Sequence, residues 1–382
     1  MIEEELRLVF DEPFKEAIQR LEDLMSQSGR AFLLGAGSSK CANLPLTAEL
    51  TASALTSTEL DADSKKILSE IQRLFNGSSP VAHIEDFLSE LVDLIAIANR
   101  RSSRKATENT VMLDGESYTA EQLSEAADQI KRAIAVVINK KINIHTHRRF
   151  VEALHRPLRP GKPSPNQAID YLIMNYDTVI EDALALAKVP FSDGIEGGVS
   201  GWWNPETFDR TGLSARVFKL HGSIDWHELP PSTLPHRVAP NVDLNGLGDR
   251  RILIWPASTK YRETQLDPYA QLAERARRVL NPKQGSQRVL VICGYSFGDA
   301  HINIEIERGL KSSSGNLTVV AFTNDDAPTG KLKEWHEDTT ITNQVLVYAN
   351  KGFFHGTDVR ISDNPLLWWK FEHITTILEG AR

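Results

Sequence analysis

The sequence predicts an α/β protein with a mostly parallel sheet, helices on both faces and a large helical insertion between the first two strands. Three observations lead there. An apolar run, Ala31–Leu34, opens directly into Gly35-Ala36-Gly37-Ser38-Ser39. No second strand signal follows until about residue 169, while helical periodicities fill the interval at 47–56, 63–75, 83–99, 119–139 and 144–155. From there on, compact apolar runs alternate with helical stretches, the pattern of a Rossmann-like sheet.

Residues 1–30 read as an N-terminal helix leading into the core, with Phe14, Ala17, Ile18, Leu21, Leu24 and Met25 at helical spacing. Residues 31–46 are the first strand and its glycine loop. The stretch 47–165 is too long for one crossover and reads as an inserted helical lobe, broken by the polar segment 100–118. Residues 166–350 complete the sheet through Ile169–Met174, Arg216–Leu220, Arg251–Trp255, Arg288–Cys293 and Leu317–Phe322, with Val345–Tyr348 as a last edge strand. Helices are expected at 178–188, 267–280 and 300–311, and residues 351–382 as a C-terminal helical segment.

Composition narrows the partners. A net charge of −8 disfavours broad nucleic-acid or acidic-membrane binding, and Arg100-Arg101-Ser102-Ser103-Arg104-Lys105 reads as a solvated loop. Two cysteines, Cys41 and Cys293, are too few for a four-cysteine zinc site or a disulfide scaffold, and a reducing cytoplasm fits. The acidic N-terminus lacks a signal-peptide pattern, and no apolar run approaches a membrane span. The pairs Trp202-Trp203 and Trp368-Trp369 read as packing residues.

The chemistry-bearing residues all fall at the C-terminal ends of predicted strands, the edge where an open α/β sheet holds its ligand. Gly35 and Gly37 permit a tight turn and close approach to phosphate oxygens, with the helix start beyond them facing an anion. The third fingerprint glycine and the later acidic residue of a dehydrogenase are absent. Asn43 stands where a positive φ is needed. Asn175 and Asp177, two apart, can face one pocket, although Asp177 also suits a helix cap. His221 precedes Gly222, which leaves room for a ligand beside an imidazole able to take a proton from a ribose hydroxyl or a water. Asn324 can hold a ribose hydroxyl or form an Asx-turn.

Gly294-Tyr295-Ser296-Phe297-Gly298 fits the G-x-S-x-G nucleophile elbow, with Asp325 and His336 or His355 as partners of Ser296. The alternative makes Gly294 and Ser296 phosphate or ribose contacts at a helix start, with Asp299 as its N-cap. His145 and His147 do not share a helix face and do not suggest a metal site.

Taken jointly, these elements resemble the sirtuin-like family. Its G-A-G-x-S-x-x-x-G-[IL]-P order corresponds to Gly35, Ala36, Gly37, Ser39, Asn43, Leu44 and Pro45. Its Asn-x-Asp element corresponds to Asn175 and Asp177, its His-Gly element to His221 and Gly222, and its late turn and strand-end Asn to Gly294, Ser296 and Asn324. The Asp-Phe-Arg of deacylating sirtuins is replaced by Leu46-Thr47-Ala48, and the zinc cysteines are missing.

The pattern is similar to the prokaryotic antiphage NAD-hydrolase branch, and to the subunit that assembles with a HerA-type hexameric ATPase. The resemblance implies NAD as substrate and no metal. It implies catalytic roles for Asn175, Asp177 and His221, with Gly35, Ala36, Gly37, Ser39, Pro45, Gly294, Ser296 and Asn324 binding the ADP portion. It also implies a homo-oligomer whose activity is gated by assembly or by movement of the helical lobe. A serine hydrolase using Ser296 and a catalytically silent NAD or ADP-ribose sensor are the alternatives.

Overall fold

The computed structural model describes residues 5–27, 29–78, 81–106, 108–155, 168–229, 232–239, 251–254, 267–283 and 285–380. At its centre is a nine-stranded sheet. Its strands are β1 (Arg30–Leu34), β2 (Ile169–Ile173), β3 (Phe191–Ser192), β4 (Ala215–Lys219), β5 (Arg288–Cys293), β6 (Leu317–Phe322), β7 (Val345–Ala349), β8 (Gly352–His355) and β9 (Asp358–Ile361). They run in the order β9-β8-β7-β6-β5-β1-β2-β4-β3, all in one direction except β8, which pairs antiparallel with β7 and β9 at one edge. The chain proceeds from β1 to β2 on one side and later returns with β5 on the other. The switch point therefore lies at β1, where the loops after β1 and β5 face each other.

The central strands are buried on both faces, as their continuous apolar runs require. Helices Lys15–Met25, His145–His155, Val179–Leu186 and Phe371–Leu378 cover one face around Phe32, Phe150 and Tyr171. Helices Tyr269–Leu280, Ala300–Ser312 and Gly330–Glu337 cover the other. At the N-terminal end of the sheet, the fully buried Asp170 carboxylate ties β2 to the adjacent β4 and, across β1, to β5 by accepting from Arg216 and Arg288, each at 2.7 Å. Both oxygens are thus compensated, as a buried charge demands.

The lobe is a separate packing unit built from Thr47–Leu55, Ala62–Leu74, Ile84–Ser103 and Ala120–Ile138. Helix Ala120–Ile138 starts with a capping box in which Thr119 and Gln122 exchange side-chain and backbone bonds. Helix Ile84–Ser103 buries Ile84, Phe87, Leu88, Leu91, Leu94 and Ala98 at three- and four-residue steps. That stripe joins Leu123, Ile130 and Ile134 in one core, and each large side chain so buried contributes about 1.5–3 kcal/mol.

Four expectations are corrected. Helix His145–His155 packs with the sheet through Phe150, Val151 and Leu154, not with the lobe to which its sequence position assigned it. Within the polar segment 100–118, the preceding helix runs on to Ser103 and a hairpin pairs Val111–Leu113 with Glu116–Tyr118. Strand Arg251–Ile254 is not in the parallel sheet but pairs antiparallel with Gly222–Leu229 in a second, five-stranded sheet; Trp255 lies outside the described residues. Its apolar run could not reveal direction, because a short buried strand looks the same in either setting. Residues 352–361 form β8 and β9, so the C-terminal segment is helical only at Phe371–Leu378.

Trp203 and Trp368 are buried packing residues, whereas Trp202 is 52% exposed. No helix among the described residues is long and apolar enough to cross a membrane.

Candidate functional site

The loops after β1, β2, β4, β5 and β6 open into a cavity of about 830 Å³ roofed by the lobe. Its lining includes the eleven residues to which the resemblance assigns catalytic or binding roles: Gly35, Ala36, Gly37, Ser39 and Pro45 after β1, Asn175 and Asp177 after β2, His221 after β4, Gly294 and Ser296 after β5, and Asn324 after β6. The volume lies within the usual range for ligand pockets.

At the switch point, the glycines serve a purpose other than the one expected. A Cβ on Gly35 would sit 2.6 Å from the Gly294 carbonyl oxygen, and one on Gly37 2.8 Å from the Gly294 Cα. Gly294 itself has φ +63°, and a Cβ there would lie 2.1 Å from the Ser38 nitrogen. The glycines let two backbones touch. The N–H groups of Gly35, Gly37 and Ser38 donate to the carbonyls of Cys293, Gly294 and Gly35 at 3.0, 2.9 and 2.9 Å. These three N–H groups are therefore engaged within the protein. Asn43 has φ +68°, as its position in the loop predicted.

Ser39 and Asn175 lock this turn to β2. The Asn175 Nδ2 donates to Ser39 Oγ at 2.8 Å and to the Gly35 carbonyl at 3.1 Å. Its Oδ1 is left as the acceptor of that amide. Ser39 Oγ donates onward to Asp177 Oδ2 at 2.8 Å. The other Asp177 oxygen accepts the Val179 N–H at 3.1 Å, one residue before the helix cap at Thr178, and the residue also lines the cavity. Behind it, the fully buried Lys219 ammonium donates to the Asp177 carbonyl and pairs with Glu181 at 3.3 Å. Burial pushes the Glu181 carboxyl up to about 7, partly offset by Lys219.

His221 is 2% exposed. Its Nδ1 lies 3.0 Å from Glu85 Oε1, and its Nε2 3.1 Å from Asp299 Oδ2. Glu85 also accepts the Tyr176 hydroxyl at 3.1 Å. An imidazole facing two carboxylates bonds both only when the three groups share two protons between them. The lone, available base suggested by the sequence is instead a held ring. Glu85 carries no local signal, since it stands in an ordinary first helical turn 136 residues from its partner.

The late loop carries the expected helix cap. Asp299 caps helix Ala300–Ser312 by accepting from His301 and Ile302 at 2.9 and 3.2 Å, which places a carboxylate where an anion was anticipated. Ser296 is exposed on the cavity rim. A nucleophile elbow strains the serine itself, but here the positive φ belongs to Phe297, at 58°. No histidine among the described residues bonds Ser296. His355 pairs with Arg20 and the Asn343 carbonyl, His336 stands against Phe354, and Asp325 accepts from Thr329. The hydrolase triad is therefore not assembled. Asn324 lies exposed at the rim, and Thr323, not Asn324, supplies the side-chain bond of its turn.

His147 is buried and stacked on Phe371, its pKa pushed down to about 4 by burial. No cluster able to hold a metal ion occurs among the described residues.

Fold and crevice define a Rossmann-like α/β protein with its candidate site at the switch point. Within it, residues 171–343 match the family model of the SIR2-like domain. Solved structures similar to the chain include a Sir2 homologue mutant in complex with ADP-ribose, at 14% identity and TM-score 0.42, covering 95% of this chain and 97% of that one. Another is a Sir2 homologue in complex with NAD, at 15% identity and TM-score 0.38, covering 82% and 85%. No curated protein matches the chain.

Proposed function

We propose that this chain hydrolyses the N-glycosidic bond of NAD⁺, giving nicotinamide and ADP-ribose. The observation that carries the reading is the convergence of Asn175, Asp177 and His221 with the glycine turn, Ser296 and Asn324 on one cavity. The SIR2-like match over residues 171–343 supports it. The bond from ribose C1′ to the pyridinium nitrogen breaks with its electron pair passing to that nitrogen, while water adds to C1′ and loses a proton. The leaving group is already cationic, so the enzyme has mainly to orient the sugar, stabilise an oxocarbenium-like centre and place the water. Asn175 Oδ1 would accept from the water or a ribose hydroxyl. Asp177 would receive the carboxamide N–H, and His221 would take the proton once its ring yields one carboxylate contact. The carboxylates of Glu85, Asp177 and Asp299 give this end of the cavity the sign that suits a developing positive charge.

On the sequence resemblance alone, the proposal extends to NAD⁺ depletion in antiphage defence by a cytoplasmic homo-oligomer, with activity gated by a HerA-type ATPase. The test incubates the protein with NAD⁺, with and without such a partner, and follows nicotinamide by chromatography. Release that disappears in His221→Ala supports the reading. Full activity of His221→Ala removes the site assignment, and a rise in Tm with NAD⁺ but no turnover in either setting identifies a sensor instead.

A further inference from the structure

The inserted lobe reaches the site through one side chain. Glu85 is the second residue of helix Ile84–Ser103, and its backbone is fixed there because Ile84 is fully buried in the lobe core and the Asp86 carboxylate accepts the His83 N–H at 2.8 Å. From that anchor, the carboxylate spans to His221 Nδ1 and the Tyr176 hydroxyl, at 3.0 and 3.1 Å. On the opposite side, Asp299 is fixed by its capping bonds and holds Nε2 at 3.1 Å. A buried imidazole gripped at both nitrogens cannot rotate without breaking a charge-assisted bond.

We infer that Glu85 is a positioning residue for His221: its carboxylate holds the imidazole through Nδ1, so that the lobe supplies part of the catalytic apparatus. The inference rests on the NAD⁺-cleaving reading for its catalytic consequence and on geometry for its chemistry. Among the described residues, Glu85, Asp299 and Tyr176 face the ring, with Tyr295 bonded to the Asp299 carbonyl and Tyr269 beside Gly222 in the layer behind them. Of these, Glu85 and Asp299 carry the charges in direct contact. A negative charge within hydrogen-bond distance favours the protonated ring by about 1–3 pH units. Removing it therefore lowers the pH at which the ring gives up its proton.

The experiment follows the His221 imidazole by NMR in histidine-labelled protein, with the signal assigned by its loss in His221→Asn, across a pH series in wild type and Glu85→Gln. Glutamine keeps an acceptor of the same reach and removes the charge. The expected result is a His221 midpoint lower by about one unit or more. The acid limb of kcat for nicotinamide release moves by the same amount, with KM changed less than about threefold, as for an interaction that acts on the chemical step. Should Glu85→Gln fail to fold, Glu85→Asp withdraws the charge by one methylene, and a smaller shift in the same direction is expected. An unmoved His221 midpoint in the folded variant overturns the inference. If wild type releases no nicotinamide, the NAD⁺-cleaving reading fails, while the NMR midpoint still decides whether Glu85 tunes the ring.

Discussion

The two ends of the cavity are built on different principles. At the switch point, the β1 and β5 loops touch through Gly35, Gly37 and Gly294, and backbone N–H and carbonyl groups close the contact. At the His221 end, four side chains from four separate segments meet: Glu85 and Tyr176 on one side, Asp299 on the other, the ring between them. The first arrangement is rigid because no atom can be added to it. The second is held by charge and hydrogen bonds, so it responds to pH and to the position of the lobe. One end is suited to anchoring, the other to chemistry that can be switched.

The sharpest way to break this contrast is Asn175→Ala, which removes the residue joining the turn to β2 and the acceptor proposed for water or ribose. Nicotinamide release should fall by about 10³-fold, or about 4 kcal/mol, with circular dichroism unchanged. A loss under tenfold would place the chemistry elsewhere.

Gly294→Ala tests the rigid end. An added methyl meets the Ser38 nitrogen at a residue with positive φ, and the cost in stability should be about 3 kcal/mol or more in urea unfolding. A near-neutral effect would show that the two loops can separate.

Ser39→Ala leaves Asp177 Oδ2 and the Asn175 amide each short of a partner in a buried setting. About 1–3 kcal/mol of stability should be lost. KM for NAD⁺ should rise more than kcat falls, provided that the residue anchors the dinucleotide as proposed.

The last prediction separates the ends by pH, at the level of a slope per pH unit. Burial holds the pKa values of His147 and His155 down to about 4, from an ordinary 6.5. Between those values the unfolded chain binds protons that the folded one does not, so stability should fall as pH drops from 6.5 to 4. Each group contributes at most about 1.4 kcal/mol per pH unit. His147→Phe should flatten that slope without moving the acid limb of kcat, which belongs to the His221 end. A moved limb would couple the two regions.

The sequence by itself determined the sheet, the long insertion and the identity of the residues at the strand ends. Each is a local pattern: an apolar run, a helical period, a glycine where a turn follows a strand. It also placed Asn43 correctly at a positive φ, because among residues that carry a side chain Asn tolerates that region best. Only the tertiary structure decided that Gly294 fills the space beside Gly35 and Gly37, that Arg251–Ile254 leaves the parallel sheet, and that Glu85 and Asp299 grip His221. Those facts depend on partners distant in sequence, His221 and Asp299 being 78 residues apart and His221 and Glu85 136. A side chain's hydrogen-bonding chemistry is written in its residue type, but the partner it meets is set by how the whole chain packs.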